Sequence, residues 1–311
     1  DLGCPIFHRS DVLAALMSEY RGIAVAGTHG KTTTSSLIGY ILLRAGIDPT
    51  IIVGGEVTAW DGNARSGQGE WLVAEADESD GSLVKLRAEI GVVTNIELDH
   101  PDHYASLDSV VTVFQAFRDQ CQVLVGCWDC PTTRDRLRLD LTYSLDSASG
   151  ADYTVDGVTV RADGLSATVY ERGDRLGSID LRLLGQHNLS NALAAIAVAR
   201  HVGLDFAAIA AGLAGFEGAR RRFEHRGTVQ GIAVYDDYAH HPSEILVTLA
   251  AARQRLADGQ YQRVVAAFQP HRYSRTQAFL GEFARAFGDA DCVVIADVYG
   301  CLLYTSDAAD E

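Results

Sequence analysis

From Gly22 onward, short β-branched runs alternate with segments whose apolar residues recur at helical spacing, the pattern of a mostly parallel sheet covered by helices. Residues 23–26 predict a first strand. Behind them Leu37, Ile38, Tyr40, Ile41, Leu42 and Ala45 predict a helix that Gly46 stops. Further strands are predicted at 51–53, 71–74, 90–94 and 123–125, with a helix over 107–117 behind a Ser106 cap. Between Ala151 and Leu184 residues alternate and are broken by Asp156-Gly157, Asp163-Gly164 and Gly173-Asp174, which predicts a small antiparallel patch with hairpin turns at these pairs. Helices return over 188–202 and 205–213, and the stretch 215–222 reads as a connection between domains. A second α/β alternation follows, with strands at 232–235, 263–268 and 292–298 and helices at 243–256 and 275–287. The fold class expected is α/β, with two doubly wound units.

Composition narrows the function classes. A chain of 311 residues with 47% apolar and 22% charged residues can bury substantial cores and is expected to form two domains. Six cysteines are too few for a disulfide scaffold, and no apolar run approaches the roughly 18 residues of a membrane helix, so a soluble cytosolic protein is expected. The net charge of -15 disfavours a nucleic-acid partner, which rewards a basic surface. The opening Asp1-Leu2-Gly3-Cys4-Pro5 has neither the basic start nor the apolar stretch of a signal peptide, and the missing initial Met suggests a fragment.

The strongest chemical signal is GTHGKTT, comprising Gly27, Thr28, His29, Gly30, Lys31, Thr32 and Thr33, between a predicted strand and a predicted helix. Backbone N–H groups of such a loop point inward, Lys31 can reach β and γ phosphates, and Thr32 can ligate magnesium. A standard phosphate loop has a further Gly where Val25 stands, so this is a shortened form. EADESD (75–80) follows another strand and faces the same crevice, where one glutamate suffices for a magnesium ion and the other acids can be solvated. TNIELDHPDHY (94–104) contributes His100, a metal ligand or proton carrier, and His103 beside it.

Two later groups carry contact chemistry. His187, Asn188 and Asn191 open a helix, where amides cap it or read an adenine edge. YDDYAHHP (235–242) and QPHRYSRT (269–276) each follow a strand end, and His271, Arg272 and Arg275 can grip a carboxylate by planar bidentate pairing. Cys127 and Cys130 form a CxxC without a second pair, and with Cys121 they read as buried thiols.

GTHGKTTT, EADESD, TNIELDH, GQHNLSNALAA, RRRFE, DDYAHHPSE and QPHRYSRT stand in the order and rough spacing of the Mur ligases, which the chain resembles over residues 23–299. The resemblance implies a central ATP-binding domain with a phosphate loop (22–215) and a partial Rossmann-like C-terminal domain (216–299). Residues 1–21 would be the remnant of an N-terminal UDP-sugar-binding domain and its linker. It also implies ATP and Mg2+ as cofactors. The implied substrates are UDP-N-acetylmuramate and L-alanine, joined as an amide through an acyl phosphate during peptidoglycan precursor synthesis. Carried over residue by residue, Lys31 neutralises the transferring phosphate, Thr32 and Glu75 hold one magnesium and His100 a second. His187, Asn188 and Asn191 contact adenine, Arg222 and Asp237 approach the nucleotide from the second domain, and Tyr238, His240, His271, Arg272 and Arg275 bind substrate. Several relatives support the second metal with a carbamylated lysine, and only Lys31 and Lys85 exist here.

The resemblance ends at Tyr299. GCLLYTSDAADE (300–311) breaks both the alternation of elements and the family pattern, and is expected to be a non-native tail. Alternatives within the same chemistry are a ligase adding murein tripeptide to the same UDP-sugar, which QPHRYSRT disfavours, and a folate-polyglutamate ligase, which DDYAHHP disfavours. From another class, the chain would be an ATP-binding module that catalyses nothing by itself.

Overall fold

The computed structural model describes residues 5–300, so most of the tail, 301–311, lies outside the described residues. Helix α1 (Arg9–Ser18) leads into strand β1 (Arg21–Ala26) and helix α2 (Lys31–Arg44). Strands β2 (Thr50–Val57), β3 (Gly62–Arg65), β4 (Trp71–Glu75) and β5 (Ala88–Val93) precede helix α3 (Leu107–Gln120), strand β6 (Cys121–Cys127), helix α4 (Pro131–Arg136) and strand β7 (Leu141–Ser144). A meander of β8 (Tyr153–Arg161), β9 (Gly164–Glu171) and β10 (Asp174–Leu181) is followed by helices α5 (Gln186–Val202) and α6 (Phe206–Gly215). The second part comprises β11 (Glu224–Val229), β12 (Ile232–Asp236), α7 (Pro242–Gln254), β13 (Val265–Phe268), α8 (Tyr273–Ala278), α9 (Leu280–Phe283) and β14 (Cys292–Ile295).

The expected α/β class is found, and the antiparallel patch is continuous with the parallel sheet. Ten strands run in the order β10-β9-β8-β7-β6-β5-β1-β4-β2-β3. The six central pairings from β8 through β2 are parallel, and the flanking ones are antiparallel. Alternate residues of β1 go to opposite faces: Ile23 and Val25 pack with Leu37, Ile41 and Leu193 of α2 and α5, while Ala24 and Ala26 pack with Phe114 and Phe117 of α3. Small residues Ala192, Ala194, Ala195 and Ala199 let α5 lie close to α2, which is buried on nearly every side. The parallel register therefore brings Gly27 after β1, Glu75 closing β4 and Thr94 after β5 to the same end of the sheet.

The second part has its own small core of Ile245, Leu249, Val264, Phe283 and Ala286. Its strands form two separate pairs, an antiparallel β11–β12 hairpin and a parallel β13–β14 pair, rather than one doubly wound sheet among the described residues.

Local expectations fare unevenly. Asp156-Gly157 is no turn: the pair lies inside β8, where the register slips between Asp156 and Thr159 as a bulge. Arg172 and Gly173, with φ of 52° and 89°, make the β9–β10 turn. The expected helix over 275–287 breaks at Phe279, whose φ and ψ of -112° and 24° end α8. The last strand stops at Ile295 rather than 298. Strands β3, β7 and β11 escaped the hydrophobic pattern. Cys121 and Cys127 are free and buried as expected, whereas Cys130 is half-buried.

Candidate active site

The GTHGKT loop wraps the end of β1. Gly27 has φ 137°, and a Cβ there would stand 1.9 Å from Thr94 Oγ1; Gly30 has φ 81° and would push a Cβ to 2.6 Å from Asn191 Oδ1. Only glycine fits either place. Asn95, which the motif reading passed over, clamps the loop by accepting the His29 N–H at 2.8 Å and donating Nδ2 to the His29 carbonyl at 3.0 Å. Gly30 precedes α2 and offers no side-chain cap, leaving first-turn N–H groups open to an anion.

Lys31 folds back over this loop. Its Nζ donates to the Gly27 carbonyl at 2.7 Å and pairs with Glu78 Oε2 at 2.8 Å. Burial works against its charge, but Glu78 and Glu75 outweigh burial and raise its pKa. Burial likewise raises Glu78's pKa, with Lys31 opposing. The two acids divide the work that the sequence left open. Glu75 Oε2 accepts from Thr32 Oγ1 at 2.9 Å and from the Gly54 N–H at 2.7 Å, whereas Glu78 faces Lys31 and keeps Oε1 buried with no hydrogen-bond partner.

His100 stands beyond Glu78, its Nε2 3.7 Å from Glu78 Oε1 and 3.6 Å from Asp99 Oδ2. Burial, together with Arg275 and Lys31, pulls its pKa down to about 4 against the pull of Asp99. A neutral imidazole beside an unpartnered carboxylate oxygen, with a Thr–Glu pair across the loop, fits a hard divalent cation sharing its shell with phosphate and water. Lys85 is elsewhere, paired with Asp11 at 2.7 Å, so it supports no metal here.

The second domain closes over this end of the sheet. Arg275 is buried and donates Nε to Asp99 Oδ1 at 2.9 Å, with Nη1 3.3 Å from His271 Nδ1. It is thus held between the domains rather than offered to solvent. Arg272 has φ 69°, lies 3.8 Å from Asp102 and keeps Nε buried without a partner. The rings of His240 and His271 are 6.1 Å apart, and Tyr238 stacks beneath Arg221 and Arg222 at 4.5 and 5.5 Å. Tyr238, His240, His271, Arg272 and Arg275 therefore form one group.

A cavity of about 220 Å³ lies on the other side of the loop, lined by Gly30, Thr33, His187, Asn188, Asn191 and Arg222 among others. Asn188 Nδ2 donates to the Leu184 carbonyl at 2.7 Å and Asn191 Nδ2 to Asn188 Oδ1 at 3.2 Å, so the amides brace the α5 start as well as lining the cavity. Arg222 reaches Thr32 Oγ1 at 3.4 Å. Asp237 spends both oxygens on the Phe223 and Ala239 N–H groups and on Thr248 Oγ1, which makes it a fastener of its loop. A wider hollow of about 970 Å³, bordered by Met17, Arg21, Gln68 and Glu89, sits at the opposite ends of the strands and away from this chemistry.

His29 of the loop meets Glu97, His241, Ser243 and Glu244, a cross-domain cluster that sequence reading did not assemble. Its Nδ1 is 3.2 Å from Glu244 Oε1, and Ser243 Oγ donates to Glu97 Oε2 at 2.7 Å. The one local signal was the spacing of His241 and Glu244, which form a capping box at the start of α7.

A phosphate-loop α/β domain with a second domain docked on the carboxyl ends of its strands defines the class. The chain belongs to the Mur ligase family: residues 25–199 match the Mur ligase middle domain and 221–306 the Mur ligase glutamate ligase domain. It is 65% identical over 305 residues to the UDP-N-acetylmuramate--L-alanine ligase of Synechococcus elongatus, covering 96% of this chain and 64% of the relative. The corresponding Nostoc punctiforme protein is 66% identical over 299 residues, 96% of this chain and 62% of the relative. The chain thus spans less than two thirds of these relatives. The crystal structure of UDP-N-acetylmuramate-alanine ligase from Thermotoga maritima superposes with a TM-score of 0.80 at 30% identity, covering 96% of this chain and 67% of that one. The MurF ligase from Thermotoga maritima in complex with ADP shares the fold, with a TM-score of 0.73 at 18% identity over 99% of this chain and 79% of that one. Among the described residues no helix is long and apolar enough to cross a membrane.

Proposed function

We propose that the complete protein is an ATP-dependent ligase that joins the amine of L-alanine to the lactyl carboxylate of UDP-N-acetylmuramate, releasing ADP and phosphate, in the cytoplasmic synthesis of peptidoglycan precursors. The observation that carries this reading is one run of neighbouring polar side chains that leads from the phosphate loop to the second domain. It runs from Lys31 to Glu78 at 2.8 Å, to His100 at 3.7 Å, to Asp99 at 3.6 Å, to Arg275 at 2.9 Å and to His271 at 3.3 Å. Phosphate-binding and carboxylate-binding groups thereby share one crevice. The relatives' names supply the substrates.

A carboxylate resists an amine because its charge repels the nucleophile and oxide leaves badly. In the proposed reaction a lactyl carboxylate oxygen bonds to the γ phosphorus of ATP as the bond to the β–γ bridging oxygen breaks, giving an acyl phosphate and ADP. The alanine nitrogen then bonds to the acyl carbon, its proton passes to a base, and phosphate departs with the C–O electron pair. Lys31 and the open N–H groups of α2 offset negative charge on the moving phosphoryl group. Arg272 orients a carboxylate, and Arg275, with its guanidinium committed to Asp99 and His271, braces the segment that carries Arg272 rather than binding substrate itself. Burial keeps His240 and His271 below the usual imidazole pKa, so a neutral ring is at hand to take the amine proton. Thr32 and Glu75 would hold one magnesium and His100 a second, and such ions, when bound, would neutralise phosphate oxygens.

The test is ADP release by the chain completed to the length of its relatives, with ATP, magnesium and UDP-N-acetylmuramate, and with either L-alanine or murein tripeptide. Turnover that requires L-alanine is expected. Turnover with tripeptide alone moves the assignment to the recycling reaction, and none with either leaves a nucleotide-binding fold.

A further inference from the structure

One cluster is not used by the proposed reaction. His29, Glu97 and His241 bring one possible ligand atom each to within 4.8 Å of one another, two from the sheet domain and one from the second domain. Nε2 of His29 and Nε2 of His241 are both buried and lack a hydrogen-bond partner, and His241 is only 5% exposed. His29 Nε2 meets only the Glu97 carboxylate, at 3.5 Å, and the buried His241 Nε2 beside them has no partner at all, an unusual arrangement because buried polar atoms are nearly always paired.

We propose that His29, His241 and Glu97 form a metal site bridging the two domains, selective for zinc or a divalent ion of similar softness over magnesium. Two imidazoles and one carboxylate are the donor set of an open tetrahedral zinc site, whereas magnesium prefers oxygen donors in an octahedron. Bonds of about 2.0–2.1 Å separate tetrahedral ligand atoms by about 3.4 Å; His29 Nε2 lies 3.5 Å from Glu97 Oε2. The outer shell is present too. Glu244 Oε1 stands 3.2 Å from His29 Nδ1, the carboxylate–histidine–metal arrangement that fixes the ring and raises its basicity, and Ser243 Oγ holds Glu97 at 2.7 Å.

Two costs oppose the ion. A proton on His29 competes for Nε2, because the neighbouring carboxylates outweigh burial and raise the histidine pKa to about 9. Metallation at Nε2 of His241 also shifts its proton to Nδ1, giving up the 3.3 Å bond from the Ser243 N–H at the start of α7. That bond is long, and the other half of the capping box, in which Glu244 accepts from the His240 and His241 N–H groups, remains. The ion ties the domains together at the rim of the cavity lined by His29, Glu97, Ser243 and Glu244. Resting on the nucleotide reading above, it therefore opposes ATP entry.

The test is a zinc titration of the 311-residue chain against a chromophoric chelator in excess magnesium, with and without ATP, repeated with cobalt for its visible spectrum. One zinc per chain is expected, with cobalt bands of a tetrahedral nitrogen–oxygen site and no sulfur charge-transfer band. His241→Asn, which can still cap α7, and Glu97→Gln should each weaken zinc by about tenfold or more, while His100→Asn leaves it unchanged. Binding lost in His100→Asn alone, a thiolate spectrum, equal affinity in all variants, or no zinc bound overturns the site. Zinc bound with these signatures but indifferent to ATP retains the site and overturns only the competition.

Discussion

Arg275 on α8 donates Nε to one oxygen of Asp99 at 2.9 Å and Nη2 to the other at 3.3 Å, with both side chains almost wholly withdrawn from water. Burial alone would raise the Asp99 pKa, yet Arg275 and His100 hold it far below the usual carboxylate range. The pair fastens the second domain to the loop that carries His100. Breaking a buried pair leaves an uncompensated charge, whereas replacing both partners does not. Asp99→Asn is expected to lower stability by about 3–5 kcal/mol, and Asp99→Leu with Arg275→Met to recover most of it. Urea unfolding of the three proteins checks this; a double variant no better than the single one defeats the argument.

Lys31 has two roles that a single substitution confuses. It faces the open turn of α2, and it also neutralises Glu78 at 2.8 Å in a buried place. Lys31→Met should weaken ATP binding by at least about tenfold, as losing one charge-assisted contact implies, and should also destabilise the fold by leaving Glu78 unpaired. Lys31→Met with Glu78→Gln should restore stability without restoring ATP affinity. Calorimetric titration and thermal unfolding separate the two; recovery of both together would mean that Lys31 acts only through Glu78.

The two loop glycines predict a graded response. Gly27→Ala and Gly30→Ala combine a positive φ with contacts of 1.9 and 2.6 Å, while Gly46→Ala has φ 80° and nothing within 4 Å of its Cβ. Gly46→Ala should cost about 1–2 kcal/mol, the left-handed backbone penalty alone. The loop variants should cost more and should also lose nucleotide binding. Equal costs at the three positions would show that the crowding at Thr94 and Asn191 is readily relieved.

These contacts mark where sequence reading stops. The phosphate loop was legible because glycine, lysine and threonine must stand at fixed offsets between a strand and a helix. The central strands were legible because burial on both faces demands apolar residues such as Ile23 to Ala26. Strand β7, Leu141–Ser144, has four residues and β11, Glu224–Val229, is mostly polar, so neither shows a hydrophobic period. Asp99 and Arg275 are 176 positions apart, and no local rule pairs them. Asn95 was hidden for another reason: its side chain serves the loop backbone, a task any nearby polar residue could perform.

The cross-domain cluster gives the protein an alkaline edge. Burial pulls the His29 pKa down, but Glu244 and Glu97 outweigh it and raise it from 6.5 to about 9. A group whose pKa is raised on folding contributes stability that is complete below its unfolded value and is lost as pH rises through the folded value. The His29 contribution is therefore full below about pH 6.5 and disappears toward pH 9. Glu97 has the opposite sign: its pKa falls to about 2 through His29, so its share is present above about 4.5 and lost only in strong acid. Cys121, pushed by burial to about 12, weakens the fold only at still higher pH, once the unfolded thiol ionises near 9. With metal chelated, the urea midpoint should fall between pH 6.5 and 9, and His29→Asn should flatten that slope. A midpoint that holds steady across this range, or falls equally in the variant, would place the proton on another group and remove His29 as the charged contact between the domains.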